Sequence, residues 1–246
     1  MAETAGPILL EAKGVAKRFG ALQVLSGVNF TMSQGEAVGI VGPNGAGKTT
    51  FLSVLSGAHA ASEGRIAFFG KDITAIPAMQ RCHMGLVRTH QVPRPFSGMT
   101  VFENVHVAAV HNGGRGREAA YQATLEALDL CGMLAIANRQ ADTIGLLDRK
   151  RLELARALAA DPKLLLLDEI GGGLTESEAE ELVQTISKLT ARGISVIWIE
   201  HIVHVLLKIA RRLICMDAGR IIADGDPQAV MSHPEVVKAY LGGSPE

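Results

Sequence analysis

Short apolar runs broken by turn residues dominate the first part of the chain. Ile8-Leu9-Leu10 is one such run, and Val28 to Met32 alternates apolar with polar before the turn Ser33-Gln34-Gly35-Glu36. A period of two predicts half-buried strands, so residues 7–40 read as strands. Ala37-Val38-Gly39-Ile40-Val41 is apolar without alternation, the pattern of a short strand buried on both faces. Helical sequence follows from Thr49 to Leu55, with Gly57 as its C-cap, and Ile66-Ala67-Phe68-Phe69 lies between turn residues as a second small strand.

The pattern changes from about Gln91 to Arg149. Pro93 and Pro95 break the chain, His111 to Gly116 reads as a loop, and Arg117 to Leu130 has helical periodicity, so this stretch is predicted to be a mostly helical insert. The earlier pattern then resumes. Lys150 to Ala160 reads as an amphipathic helix stopped by Asp161-Pro162, and Leu164 to Leu167 as a fully buried strand. Glu176 to Thr190 is a further helix, Ile194 to Ile199 another buried strand, and Val203 to Ile209 a third helix. Strands alternating with helices imply an α/β fold with a parallel sheet and right-handed crossovers.

Composition narrows the class. The chain has 246 residues, 48% of them hydrophobic and 20% charged, ample for a buried core. Aromatics are only 4%, so that core must be aliphatic. A net charge of -1 argues against a nucleic-acid binder that relies on a global basic field. Cys82, Cys131 and Cys215 are isolated and lack CxxC spacing, which predicts reduced thiols rather than a disulfide framework or metal site. No stretch approaches the about 20 apolar residues that span a bilayer. Met1 to Gly6 lacks a basic region leading into an apolar one, so no signal peptide is expected.

Gly42-Pro43-Asn44-Gly45-Ala46-Gly47-Lys48-Thr49 fits the phosphate-loop pattern at every fixed position, between an apolar strand and a helix. Glycines let the backbone wrap close to phosphate oxygens and present N–H donors to them. The helix beginning near Lys48 adds its positive dipole end. Lys48 neutralises β/γ charge, and the Thr49 hydroxyl suits Mg²⁺. This segment predicts a nucleotide site.

Leu164 to Leu167 runs into Asp168-Glu169, two acids at the carboxyl end of a buried strand. Ligands of open α/β sheets bind at that edge. Asp168 is expected to hold Mg²⁺, through water, and Glu169 to act as the general base toward the attacking water.

Lys48, Gln91, Asp168-Glu169 and His201, in that order and with a helical insert enclosed, make the chain resemble the ATP-binding subunit of ABC transporters across residues 7–242. The resemblance implies one ATPase domain with a P-loop NTPase core at 7–90 and 150–242, an antiparallel β subdomain, and the insert at about 91–149. It implies ATP and Mg²⁺ as ligands, with the loop from Gly42 through Thr50 around the phosphates. Arg88-Thr89-His90-Gln91 resembles the family's Q-loop, where Gln91 touches Mg²⁺ and water. Glu200-His201 resembles its switch histidine, which contacts the γ-phosphate, and Phe19 stands where the family stacks an aromatic on adenine.

The chain departs from that family at its signature, usually Leu-Ser-Gly-Gly-Gln. Here Ile144-Gly145-Leu146-Leu147-Asp148 precedes the basic helix Arg149 to Leu158. Two subunits of this family sandwich two ATPs, each between one chain's loop and the other's signature. Loss of the serine hydroxyl removes a γ-phosphate donor, and Asp148 adds negative charge. A heterodimer with one strong and one weakened site is the expectation. Thr175 stands where the family often has Asp in its D-loop, and Ile202 where an acid often follows the histidine.

Arg88 to Gln91, Met99 to Asn104, Gly173-Leu174-Thr175 and the tail His233 to Gly242 are similar to the branched-chain amino acid importer branch. The implied partners are a second ATPase subunit, two permease subunits and a periplasmic binding protein, with this chain peripheral on the cytoplasmic side of the inner membrane. Val92 to Phe96 is the expected docking surface for a permease helix. ATPases of lipopolysaccharide export and soluble ABC-type NTPases are the alternatives, and no Asn-Lys-x-Asp element marks a GTPase.

Overall fold

The computed structural model describes residues 6–111, 115–200 and 203–241. In chain order it contains β1 (Ile8–Phe19), β2 (Leu22–Ser33), β3 (Ala37–Val41), α1 (Lys48–Leu55), β4 (Glu63–Phe68), β5 (Lys71–Asp72) and α2 (Ala78–His83). Next come β6 (Leu86–Arg88), α3 (Val101–His111), α4 (Arg117–Leu130), α5 (Leu146–Ala159), β7 (Leu164–Asp168), α6 (Glu176–Ala191) and β8 (Ser195–Ile199). The chain closes with α7 (Val203–Leu206), β9 (Arg212–Asp217), β10 (Arg220–Gly225), α8 (Pro227–Met231) and α9 (Pro234–Leu241). They fall into two compact units, one being Met79–Ile194 and the other the described residues on either side of it.

The flanking unit holds two groups of strands. β1 pairs antiparallel with both β2 and β4, and β4 with β5. Alternation explains its packing: Val28, Phe30 and Met32 are buried while Asn29 and Thr31 face outward. Phe30 meets Phe51 of α1 edge to face at 5.9 Å. In the second group β3 runs parallel to β8 and to β9, and β9 pairs antiparallel with β10. Gly39 of β3 has no room for a side chain, since a Cβ there would lie 2.8 Å from Leu213 Cδ1.

The unit Met79–Ile194 pairs β6 with β7 in parallel, through Leu86–Leu164, Val87–Leu165 and Arg88–Leu166. Every residue of β7 is buried. The helices α3, α4 and α5 pack on one another. Thr175 caps α6 in a reciprocal capping box with Glu178, so this departure from the family pattern gives a well-terminated helix.

Several boundaries differ from the sequence reading. The helix read as starting at Lys150 starts at Leu146, so it takes in most of the variant signature. The helix read through Ile209 ends at Leu206, and Leu207 continues as a turn bonded back to Val203. The hairpin β9–β10 carries no sequence expectation, because Arg212 to Asp217 mixes charge into an apolar run. In it Arg212 is held by Asp224 at 2.6 Å and Glu36 at 3.1 Å, over the Phe30 ring.

Candidate nucleotide site

The phosphate loop begins where β3 ends. Gly42 has φ 143°, and a Cβ there would fall 2.0 Å from Met216 O. Gly47, with φ 98°, is the N-cap of α1, and a Cβ there would meet Leu25 and the Val24 carbonyl at 3.0 Å. Only glycine tolerates both the conformation and the crowding. The loop is braced from outside: Gly219 N–H, at the β9–β10 turn, donates to Ala46 O at 3.1 Å, and Ser26 N–H to Gly219 O at 2.9 Å. A hairpin absent from the sequence reading therefore supports the predicted site.

Lys48 is the first residue of α1, and its ammonium donates to Gly42 O at 2.7 Å and Pro43 O at 2.9 Å. No acid sits in the first turn of α1, whose amides form the positive end of its dipole. Asn44, Gly45 and Thr49 are exposed, Pro43 and Thr50 half-buried, and Ala46 buried. A cradle of positive-φ glycines, a cation and a helix start fits a polyphosphate. Phe19 closes β1, 43% exposed, with its edge on His59 at 5.2 Å and Lys17 Nζ 4.7 Å from its centre. Its ring is thus a surface platform rather than core.

The unit Met79–Ile194 gathers Gln91, Asp168 and Glu169. Asp168 ends β7 with its side chain 1% exposed, and Arg88 Nη2 donates to its Oδ2 at 2.7 Å. Glu169 follows in the left-handed region at φ 48°, a strained position for a non-glycine residue. The Gln91 amide donates to the Glu169 carboxylate. Lys150, buried in α5, donates to Gln91 O at 2.8 Å and reaches Glu169 O at 3.5 Å. Thr49, in the flanking unit, and Asp168, in this one, each carry a hard oxygen donor of the kind that suits Mg²⁺.

The segment after Gln91 is bolted to α5. His90 N–H donates to Glu153 Oε1 at 3.3 Å, and Arg156 donates to Arg94 O at 2.9 Å and lies 4.7 Å over the Phe96 ring. Phe96 is 42% exposed and Val92 65%. In the variant signature Gly145 caps α5 with no side-chain hydrogen bond, and Asp148 pairs with Arg151 at 3.5 Å. Arg149 folds back on the carbonyls of Ile144 and Asp142 at 3.0 and 2.8 Å. His201 and Ile202 lie outside the described residues.

Sequence reasoning passed over Arg88, Lys150 and Glu153 as individual groups. A basic residue inside the three-residue strand β6 was the available signal for Arg88. Burial pushes the Cys131 thiol up to about 12. Burial, with Asp217 adding to it, pushes Cys215 up to about 11.

Residues 25–171 match the family model of the ABC transporter. The chain belongs to the ABC transporter family. It is an ATP-binding, ATP-hydrolysing cassette of that family. Its last residues, 220–246, match the model of the branched-chain amino acid ATP-binding cassette transporter. The high-affinity branched-chain amino acid transport ATP-binding protein LivG of Salmonella typhimurium is 35% identical, over 95% of this chain and 98% of that one. BraF of Pseudomonas aeruginosa, described in the same words, is 33% identical over 95% and 98%. Among solved structures, a nucleotide-free ATP-binding cassette from an ABC transporter superposes with TM-score 0.86 at 30% identity, over 96% of this chain and all of that one. The ADP conformation of the ATP-binding cassette MJ1267 gives 0.85 at 30% identity, over 96% and 99%. Among the described residues no helix is long and apolar enough to cross a membrane.

Proposed function

We propose that this cassette energises an importer of branched-chain or related amino acids, docked on the cytoplasmic side of the inner membrane. The observation that carries the reading is the joint likeness to such ATP-binding proteins over nearly the whole chain, tail included. Its partners are a second ATPase subunit, two permease subunits and a periplasmic binding protein.

The roles follow from chemistry. Loop N–H groups and Lys48 hold the β- and γ-phosphates, and Phe19 stacks on adenine. By the family's pattern Thr49, Gln91 and Asp168 would hold Mg²⁺, whose charge would offset that of the phosphates. Glu169 accepts a proton from the attacking water, and the Gln91 amide, already on that carboxylate, orients it. His201 contacts the γ-phosphate.

The variant signature makes the dimer unequal. Gly145 has no hydroxyl to offer a partner's γ-phosphate, and Asp148 carries charge of the wrong sign. A heterodimer follows, in which this chain's own loop pairs with a better signature on its partner.

Reconstitution with the neighbouring ATPase, permeases and binding protein in proteoliposomes tests the reading by ATP-dependent uptake of radiolabelled leucine, isoleucine and valine. Uptake abolished by Lys48→Ala supports it. ATP hydrolysis that no branched-chain or related amino acid stimulates refutes the substrate class.

A further inference from the structure

Helix α9 reaches back to the start of the phosphate loop. Gly42 is the first residue beyond β3, and its N–H donates to the Tyr240 hydroxyl at 2.8 Å, across 198 positions of sequence. On its other side Gly42 offers its carbonyl to Lys48 Nζ at 2.7 Å. The Met216 carbonyl closes the third direction, 2.0 Å from where a Cβ would stand. Gly42 is therefore held by a strand, by its own loop lysine and by the C-terminal helix.

The anchoring of α9 is selective. Val236 is fully buried, while Val237 is 41% and Leu241 80% exposed. Tyr240 itself is 45% exposed, and its hydroxyl oxygen accepts from Gly42 N–H; burial raises that group's pKa, against the lowering by the same hydrogen bond. The Lys48 ammonium donates to the carbonyls of Gly42 and Pro43 here, and a phosphate drawn to it competes with those two bonds. The bond from Gly42 N–H to the Tyr240 hydroxyl does not involve Lys48.

We propose that Tyr240 is a positioning residue for the phosphate loop, its hydroxyl fixing Gly42 so that the loop keeps its phosphate-binding shape when Lys48 turns to the nucleotide. The inference rests on reading Gly42 to Thr50 as the nucleotide site. It assigns to the tail a role in nucleotide affinity.

The test uses the full chain and fluorescence titration with a mant-labelled ATP. Tyr240→Phe removes one oxygen and keeps the ring. It is expected to weaken nucleotide binding about fivefold, as loss of one hydrogen bond does. The turnover number at saturating ATP should stay within about twofold. Leu241→Ala, one residue further along, should bind nucleotide as the wild type does. Affinity of Tyr240→Phe within about twofold of wild type overturns the proposal, and so does equal weakening by Leu241→Ala. Lys48→Ala separates the two readings: if it binds as wild type does, the loop assignment itself falls, whatever Tyr240→Phe does.

Discussion

Arg88 donates to Asp168 at 2.7 Å, joining the end of β6 to the end of β7 with side chains 14% and 1% exposed. The two strands run parallel, with Arg88 opposite Leu166, so the guanidinium reaches two residues along to the acid that closes β7. A carboxylate buried to this degree requires partners to remain charged. Arg88 is one that lies in the protein itself.

Removal of that cation has a definite sign. Arg88→Leu should lower stability by about 3 kcal/mol, since breaking a buried pair strands its charge. Urea unfolding checks this. The double variant Arg88→Leu with Asp168→Asn should recover part of the loss, because the stranded charge is gone. A double variant whose loss equals the sum of the singles shows that the two groups are not coupled.

Glu169→Gln keeps the shape of the side chain and removes its basicity. ATP binding should persist, while single-turnover hydrolysis falls about 100- to 10,000-fold. Quench-flow with labelled ATP measures the chemical step directly. Turnover near the wild-type rate assigns the base elsewhere.

Phe96→Asp places a charge on the exposed segment after Gln91 without touching the loop from Gly42 to Thr50. The free cassette should hydrolyse ATP within about twofold of wild type, since surface changes of this kind are usually mild. In proteoliposomes the same change should uncouple hydrolysis from uptake. Unimpaired uptake removes Val92 to Phe96 from the docking surface.

Gly145→Ser restores the hydroxyl missing from the signature. A Cβ at Gly145 meets nothing within 4 Å, so the substitution should leave stability within about 0.5 kcal/mol. In the heterodimer it should raise hydrolysis at the partner's loop, read by trapping labelled ATP on each chain. Two wild-type sites that already hydrolyse equally contradict the unequal pair.

Much of the nucleotide site was readable because its chemistry is local. Gly42 to Thr50 is one continuous segment whose glycines, lysine and threonine each answer a short-range need, and Asp168-Glu169 ends a run of four leucines. The start of α5 was not readable in the same way. Gly145-Leu146-Leu147 carries no side-chain cap, and helix begins there through packing of the helices α3, α4 and α5. The pair β9–β10 was missed because β9 draws its order from β3 beside it, and Arg212 within it finds its acids at Glu36 and Asp224.

The sequence by itself determined the phosphate loop, the paired acids and the alternation of strands with helices, because period, turn chemistry and glycine freedom act over a few residues. Tertiary structure decided what holds those pieces. Arg88 meets Asp168 across 80 positions, Gln91 meets Glu169 across 78, and Gly42 meets Tyr240 across 198. No local preference encodes such pairs; they exist only once the apolar strands are buried and their ends are brought to one edge of each unit.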